Sequence, residues 1–142
     1  MTDGLHGTDY DEYDMRPKRK QRRHNAEYEW QFQVKCVVHY TKLCRREAAY
    51  RDLTRLYAVA PNDGLRTIQQ AAKAKRMGQK PGVYDLHFLD RRNGIFRYTW
   101  IECKAKGKGL SDEQIEWDLW LTGSPIRRFV VRTIDEFQAV IK

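Results

Sequence analysis

Apolar positions recur with two different periods along the chain. Trp30, Val34, Val37, Val38 and Thr41 fall at three- and four-residue intervals, which predicts a helix from about Ala26 to about Lys42 with that stripe towards a core. Glu27 and Gln31 belong to the same stripe. Residues 45–55 are charged and read as helical or irregular, LYAVAPNDG as a short strand entering a turn, and Leu65 to Met77 as an alanine-rich basic helix ended by Gly78. The period then shortens to two, predicting strands over about 83–90 and 95–103 joined at Asn93-Gly94, a strong hairpin signal. Ser111-x-x-Gln114, with Leu110 and Ile115 beside it, is a capping-box and staple pattern opening a helix that Gly123 and Pro125 end. Residues 126–132 read as a strand, and Thr133-x-x-Glu136 caps a last helix through Ile141. The order of elements predicts an α/β fold, a mixed central sheet flanked by helices.

The hairpin carries the chemistry. A two-residue Asn93-Gly94 loop pairs Arg92 with Ile95, so opposed residue numbers sum to 187 and Asp85 falls opposite Glu102. Opposed residues share a face, with Cβ atoms about 4.5–5.5 Å apart. Lys104 returns to that face, as does Trp100, while Leu86, Phe88, Ile101 and Cys103 point to the other, towards a core. A three-residue bulged loop would instead shift the pairing by one and separate the carboxylates. Two directly opposed carboxylates destabilise a hairpin unless positive charge lies between them. Lys104 supplies one such charge on an ordinary solvated face; a divalent cation supplies another, and Mg²⁺ takes carboxylate oxygens while keeping several waters.

Composition narrows the partners. The chain has 142 residues, a length that suits one domain, and 27 Lys and Arg against 19 Asp and Glu give a net charge of +8. Such a balance suits either solubility alone or a polyanion such as nucleic acid. No apolar run reaches the roughly 20 residues of a membrane span. Three cysteines without C-x-x-C spacing, four histidines without ligand spacing and an N-terminus without a signal-like apolar core point to a reducing compartment, hence the cytoplasm, that of the host cell if phage-encoded. Residues 1–25 read as a flexible arm, acidic to residue 14 and then carrying six Lys/Arg within 16–23, and residues 26–142 as the folded domain.

GVYDL, IECKAKGKGLSDEQ, an upstream helical Glu-x-x-x-Gln and a PNDG turn before a basic helix together resemble the VRR-Nuc branch of the PD-(D/E)xK nuclease superfamily, nearest to its small single-domain phage versions. The resemblance runs from about Glu27 to the C-terminus. It departs from the family pattern at Tyr84, where proline is usual, and at Asp63, where glycine is common. It implies a restriction-endonuclease-like core with a catalytic hairpin. Asp85 matches the motif aspartate, Glu102 and Lys104 the E-x-K pair, Gln114 the glutamine of the next helix, and Glu27 with Gln31 the first-helix pair. Glu29 with Gln33 offers a rival match for that last position. Asp85, Glu102 and the backbone carbonyl of Cys103 are then expected to hold Mg²⁺ or Mn²⁺, and Glu27 to bind a second metal or reach the first through water. Lys104 is expected to act on the attacking water or the developing oxyanion, and Gln114 to serve in catalysis or only as a cap.

The substrate implied is DNA, branched or junction DNA above all. Arg19, Lys20, Arg22 and Arg23 of the arm, Lys73, Lys75, Arg76 and Lys80, and Lys106 and Lys108 are the cations expected to follow it, unless they are only a solvated surface. A homodimer is expected, because two symmetric nicks suit a two-fold assembly. A flap or single-strand nuclease of the same family and a non-catalytic nucleic-acid-binding module are the alternatives. Cys103 as a nucleophile is disfavoured by its core-facing position, and Trp117 and Trp120 are expected in a core or interface more than in base stacking.

Overall fold

The computed structural model describes residues 18–59 and 67–142, without the side chains of residues 18–24 and 26. The expected acidic arm and the PNDG turn at 61–64 lie outside the described residues. The first helix, α1, spans Lys18–Arg46, eight residues earlier than the sequence pattern suggested. No glycine or proline interrupts it, and its 29 residues give a rod of about 43 Å. A short helix α2 (Ala48–Leu53) leads into strand β1 (Thr54–Ala58). Helix α3 (Ile68–Arg76) opens on a complete capping box between Thr67 and Gln70, stops ahead of Gly78, and buries none of its side chains.

The hairpin follows, with β2 over Leu86–Asp90 and β3 over Arg97–Cys103. Asn93 (φ 59°, ψ 29°) and Gly94 (φ 70°) are both left-handed, and Ile95 N–H donates to Arg92 O at 3.3 Å, the arrangement of a type I′ turn. Leu86 therefore pairs with Ile101 and Asp90 with Arg97, each pair summing to 187 as the two-residue loop requires. Helix α4 (Asp112–Trp120), strand β4 (Arg127–Val131) and helix α5 (Ile134–Ile141) complete the chain.

The four strands lie in the order β1-β2-β3-β4, antiparallel at the first two junctions and parallel at the last. This mixed sheet is packed on both faces, an α/β arrangement. On one face Leu86, Phe88, Ile101 and Cys103 meet Phe32, Cys36 and Leu43 of α1, Tyr50 of α2 and Phe137 and Ile141 of α5. Leu86, Phe88 and Ile101 are almost wholly buried, each worth roughly 1.5–3 kcal/mol of hydrophobic stabilisation. On the other face Tyr84, Trp100 and Leu121 form a smaller core with Trp117 and Leu110 against them.

The face of α1 corrects the sequence expectation. Trp30, Val34, Val37 and Val38 are exposed, and the helix buries the opposite stripe, Phe32, Cys36 and Leu43. Both stripes have helical spacing, and the sheet takes the one whose residues interlock with Phe88 and Cys103. No described helix is long and apolar enough to cross a membrane.

At the turn end of the hairpin, buried Asp90 gathers two arginines. Arg92 Nη2 lies 2.8 Å and Arg97 Nη2 2.7 Å from its Oδ2, and Arg92 N–H donates to Oδ1 at 2.8 Å. Arg92 also donates to Ile141 O and lies over the Tyr50 ring, so one cluster joins the hairpin to α2 and α5.

Candidate active site

The site lies at the other end of the hairpin, where the regular ladder stops. Beyond Leu86 the strands are joined through side chains. Asp85 N–H donates to Glu102 Oε2 at 3.3 Å, and Cys103 N–H donates to Asp85 Oδ2 at 3.0 Å. Lys104 N–H continues the parallel pairing by donating to Val131 O, and Ala105 N–H donates to Glu29 Oε1 at 3.1 Å. Three consecutive amides of the β3 exit are thus taken by three different segments, the residue before β2, strand β4 and helix α1.

Glu102 is buried against Lys104, whose Nζ lies 3.1 Å from Oε1. Burial pushes its carboxyl above the usual range. The Lys104 charge and hydrogen bond, the Gln114 side chain and the Asp85 amide all oppose that rise by favouring the ionised form. Gln114 has two tasks. Its Oε1 accepts from Ser111 N–H at 2.9 Å to close the α4 capping box, and its side chain also supports Glu102. The expected capping role is therefore present, together with a contact to Glu102.

The wall behind the pair is tied together through Tyr84. Tyr84 hydroxyl donates to Asp118 Oδ1 at 3.0 Å, and Arg128 Nε lies 2.7 Å from the same oxygen. Tyr84 therefore ties the strand entry to α4 and β4, and burial followed by the Asp118 contact raises its pKa. Gly82 lets the same segment approach α4 closely: its φ is +82°, and a Cβ there would stand 2.6 Å from Glu113 C and O. His87 shares the site face, stacked on Trp100 at 4.7 Å and bonded through Nδ1 to the Tyr98 hydroxyl. Burial lowers its pKa to about 4, so at neutral pH it adds an uncharged wall. Sequence spacing gave no sign of the Tyr84–Asp118 and Gly82–Glu113 contacts, because they join residues more than thirty positions apart.

The structure brings Asp85, Glu102, Lys104 and Gln114 together and separates Glu27 from them. Glu27 is exposed on the outer face of α1 and accepts from Gln31 Nε2 at 3.0 Å. Glu29 is the first-helix carboxylate that reaches the end of β3, which corrects the preference for Glu27. The miss follows from the reversed helix face. Cys103 is buried on the α1 side, where hydrogen bonding to Cys36 and then burial raise its pKa far above the thiolate range. Trp117 donates from Nε1 to Pro81 O, while Trp120 is mostly exposed.

Among the described residues no three His, Cys, Asp or Glu side chains come together as a ready metal cage. What the site offers is two opposed carboxylates with one ammonium. Its side-chain donors are oxygens alone, the type that Mg²⁺ and Mn²⁺ prefer, and two carboxylates suffice for an ion that retains water. The residues fit such an ion. Lys73, Lys75, Arg76 and Lys80 are exposed on and after α3, and Lys106 and Lys108 in the loop after β3. Arg19, Lys20, Arg22 and Arg23 lie on the first turns of α1. No protein-family model, no curated protein and no solved structure matches this chain.

Proposed function

We propose that the protein is a Mg²⁺- or Mn²⁺-dependent endodeoxyribonuclease that selects branched DNA, four-way junctions in the first place. The observation that carries the reading is the opposed Asp85–Glu102 pair with Lys104 Nζ 3.1 Å from Glu102. An acid pair facing itself on one sheet patch, half offset by a lysine, is costly as architecture and useful as chemistry. Asp85 and Glu102 would hold the ion, with the Cys103 carbonyl as a further oxygen donor. Bound there, it supplies Lewis-acid activation of water and screens charge at the phosphorus.

The chain's own groups do the rest. Lys104 would offer its ammonium to the attacking water or to the developing phosphorane charge. Gln114, at the N-terminus of α4, favours the ionised form of Glu102 against the effect of burial and stands where backbone amides favour a phosphate. Glu29 takes the first-helix position and fixes the exit of β3 through Ala105. A net charge of +8 supplies the long-range attraction for DNA, and the preference for branched substrates rests on the family resemblance alone.

The test is cleavage of end-labelled junction, flap, duplex and single-stranded DNA with Mg²⁺ or Mn²⁺. Paired symmetric nicks in the junction, abolished by EDTA, are the expected result. Cleavage that persists in EDTA removes the metal, and preferred cutting of flap or single strand replaces the substrate.

A further inference from the structure

The outer face of α1 is an apolar stripe with opposite charges at its two ends. Trp30 is 60%, Val34 43%, Val37 38% and Val38 46% exposed, and Thr41 continues the line. Single exposed hydrophobics are ordinary, but a contiguous run along one rigid helix is the mark of a contact surface. Exposed Glu27 closes the stripe on the N-terminal side, held over the helix by Gln31, and exposed Lys42 and Arg45 close it on the C-terminal side.

We propose that this stripe packs against the same stripe of a second copy, antiparallel, about a two-fold axis near residue 36. An antiparallel register whose numbers sum to 72 sets Val34 against Val38, Trp30 against Lys42 and Glu27 against Arg45, each pair occurring twice. Such self-complementarity is what an isologous interface requires. Apolar residues meet at the axis, the indole meets an ammonium, and opposite charges close both ends. Parallel packing would set Glu27 against Glu27 and Arg45 against Arg45, a repulsion at each end. Exposed Lys35 flanks the stripe beside Val34 and Val38, and its aliphatic stem can lie along the apolar seam while its ammonium stays in water. The spacing Glu27, Trp30, Val34, Val37, Thr41 follows the 3,4 alternation of a helix-pair seam, and from Glu27 to Arg45 the stripe covers about 27 Å of helix. The inference stands on this surface and is independent of the nuclease reading.

Sedimentation equilibrium and light scattering across a concentration series test it. The wild-type chain should reach about twice its 16.9 kDa mass. Val34→Glu should weaken association at least tenfold, and Glu27→Arg several-fold, more so at low salt. The double exchange Glu27→Arg with Arg45→Glu should restore the dimer. These side chains are exposed, so circular dichroism and melting of each monomer should match wild type, which separates lost association from lost folding. A monomer at about 200 µM, or a dimer indifferent to Val34→Glu, overturns the surface. A charge exchange that fails to restore association overturns the antiparallel arrangement.

Discussion

Asp90→Asn removes the charge that Arg92 and Arg97 share while keeping the side chain's shape. Burial alone would push the Asp90 carboxyl up, but the hydrogen bonds from the Arg92 side chain and backbone and from Arg97 outweigh it and pull the pKa from 3.8 to about 2. At 1.36 kcal/mol per unit, a shift of just under two units is worth about 2.5 kcal/mol. The sign follows from the direction. A depressed carboxyl stabilises the fold at pH above its unfolded value, and that stability is lost as pH falls towards the folded one. The difference between wild type and Asp90→Asn should therefore be about 2.5 kcal/mol at pH 7 and about 1.3 kcal/mol at pH 3. For a domain of this size the neutral-pH loss lowers the melting temperature by roughly 8 °C. Urea unfolding at pH 7, 5, 4 and 3 measures both quantities. A gap that stays constant across this range would show that packing, not charge, holds the cluster. No gap at pH 7 would refute the argument altogether. Because Asp90 pairs directly with Arg97, the variant should also loosen the register that sets Asp85 against Glu102, and cleavage should fall along with stability.

Asp85→Asn, Glu102→Gln and Lys104→Ala should each abolish cleavage while leaving gel-shift affinity largely intact, since binding draws on cations elsewhere; near wild-type turnover in any one removes that residue from the mechanism. Glu29→Gln should slow single-turnover cleavage at least tenfold and Glu27→Gln should leave the rate per assembled protein unchanged, with the reverse pattern restoring Glu27 to the site. The raised Glu102 carboxyl binds its proton more readily in the folded state, so its contribution to stability is present at low pH and lost as pH rises through the folded pKa. Relative to Glu102→Gln, the wild type should therefore gain melting temperature as pH falls from neutral towards the ordinary glutamate range, and parallel melting curves would contradict the raised, buried carboxyl.

The hairpin was legible in the sequence because its determinants are local. Asn93-Gly94 selects the turn, the turn sets the register, and alternation assigns Leu86 and Ile101 to one face and Asp85 and Glu102 to the other. The helix caps at Ser111 and Thr133 were legible for the same reason. The facing of α1 was not. Trp30, Val34 and Val38 make the more apolar stripe, yet what a helix buries is decided by the sheet it meets, and Phe32, Cys36 and Leu43 fit that surface. With the face reversed, Glu29 rather than Glu27 arrives at Ala105. The cross-links from Tyr84 to Asp118 and from Asp90 to Arg92 and Ile141 depend on tertiary approach, which no spacing announces.

The type I′ turn has a consequence for how this chain tolerates length change. Inserting or deleting one residue between Asp90 and Arg97 changes the parity of the strand pairing. If β2 slides by one step, its side chains exchange faces: Asp85 turns towards the apolar layer of Leu86 and Phe88, and those two turn outward. Adding a residue on each side of Asn93-Gly94 keeps the parity and lengthens the ribbon away from the site. Related chains that keep the chemistry should therefore vary this loop in even increments, and an odd change should survive only where a bulge absorbs it before Asp85.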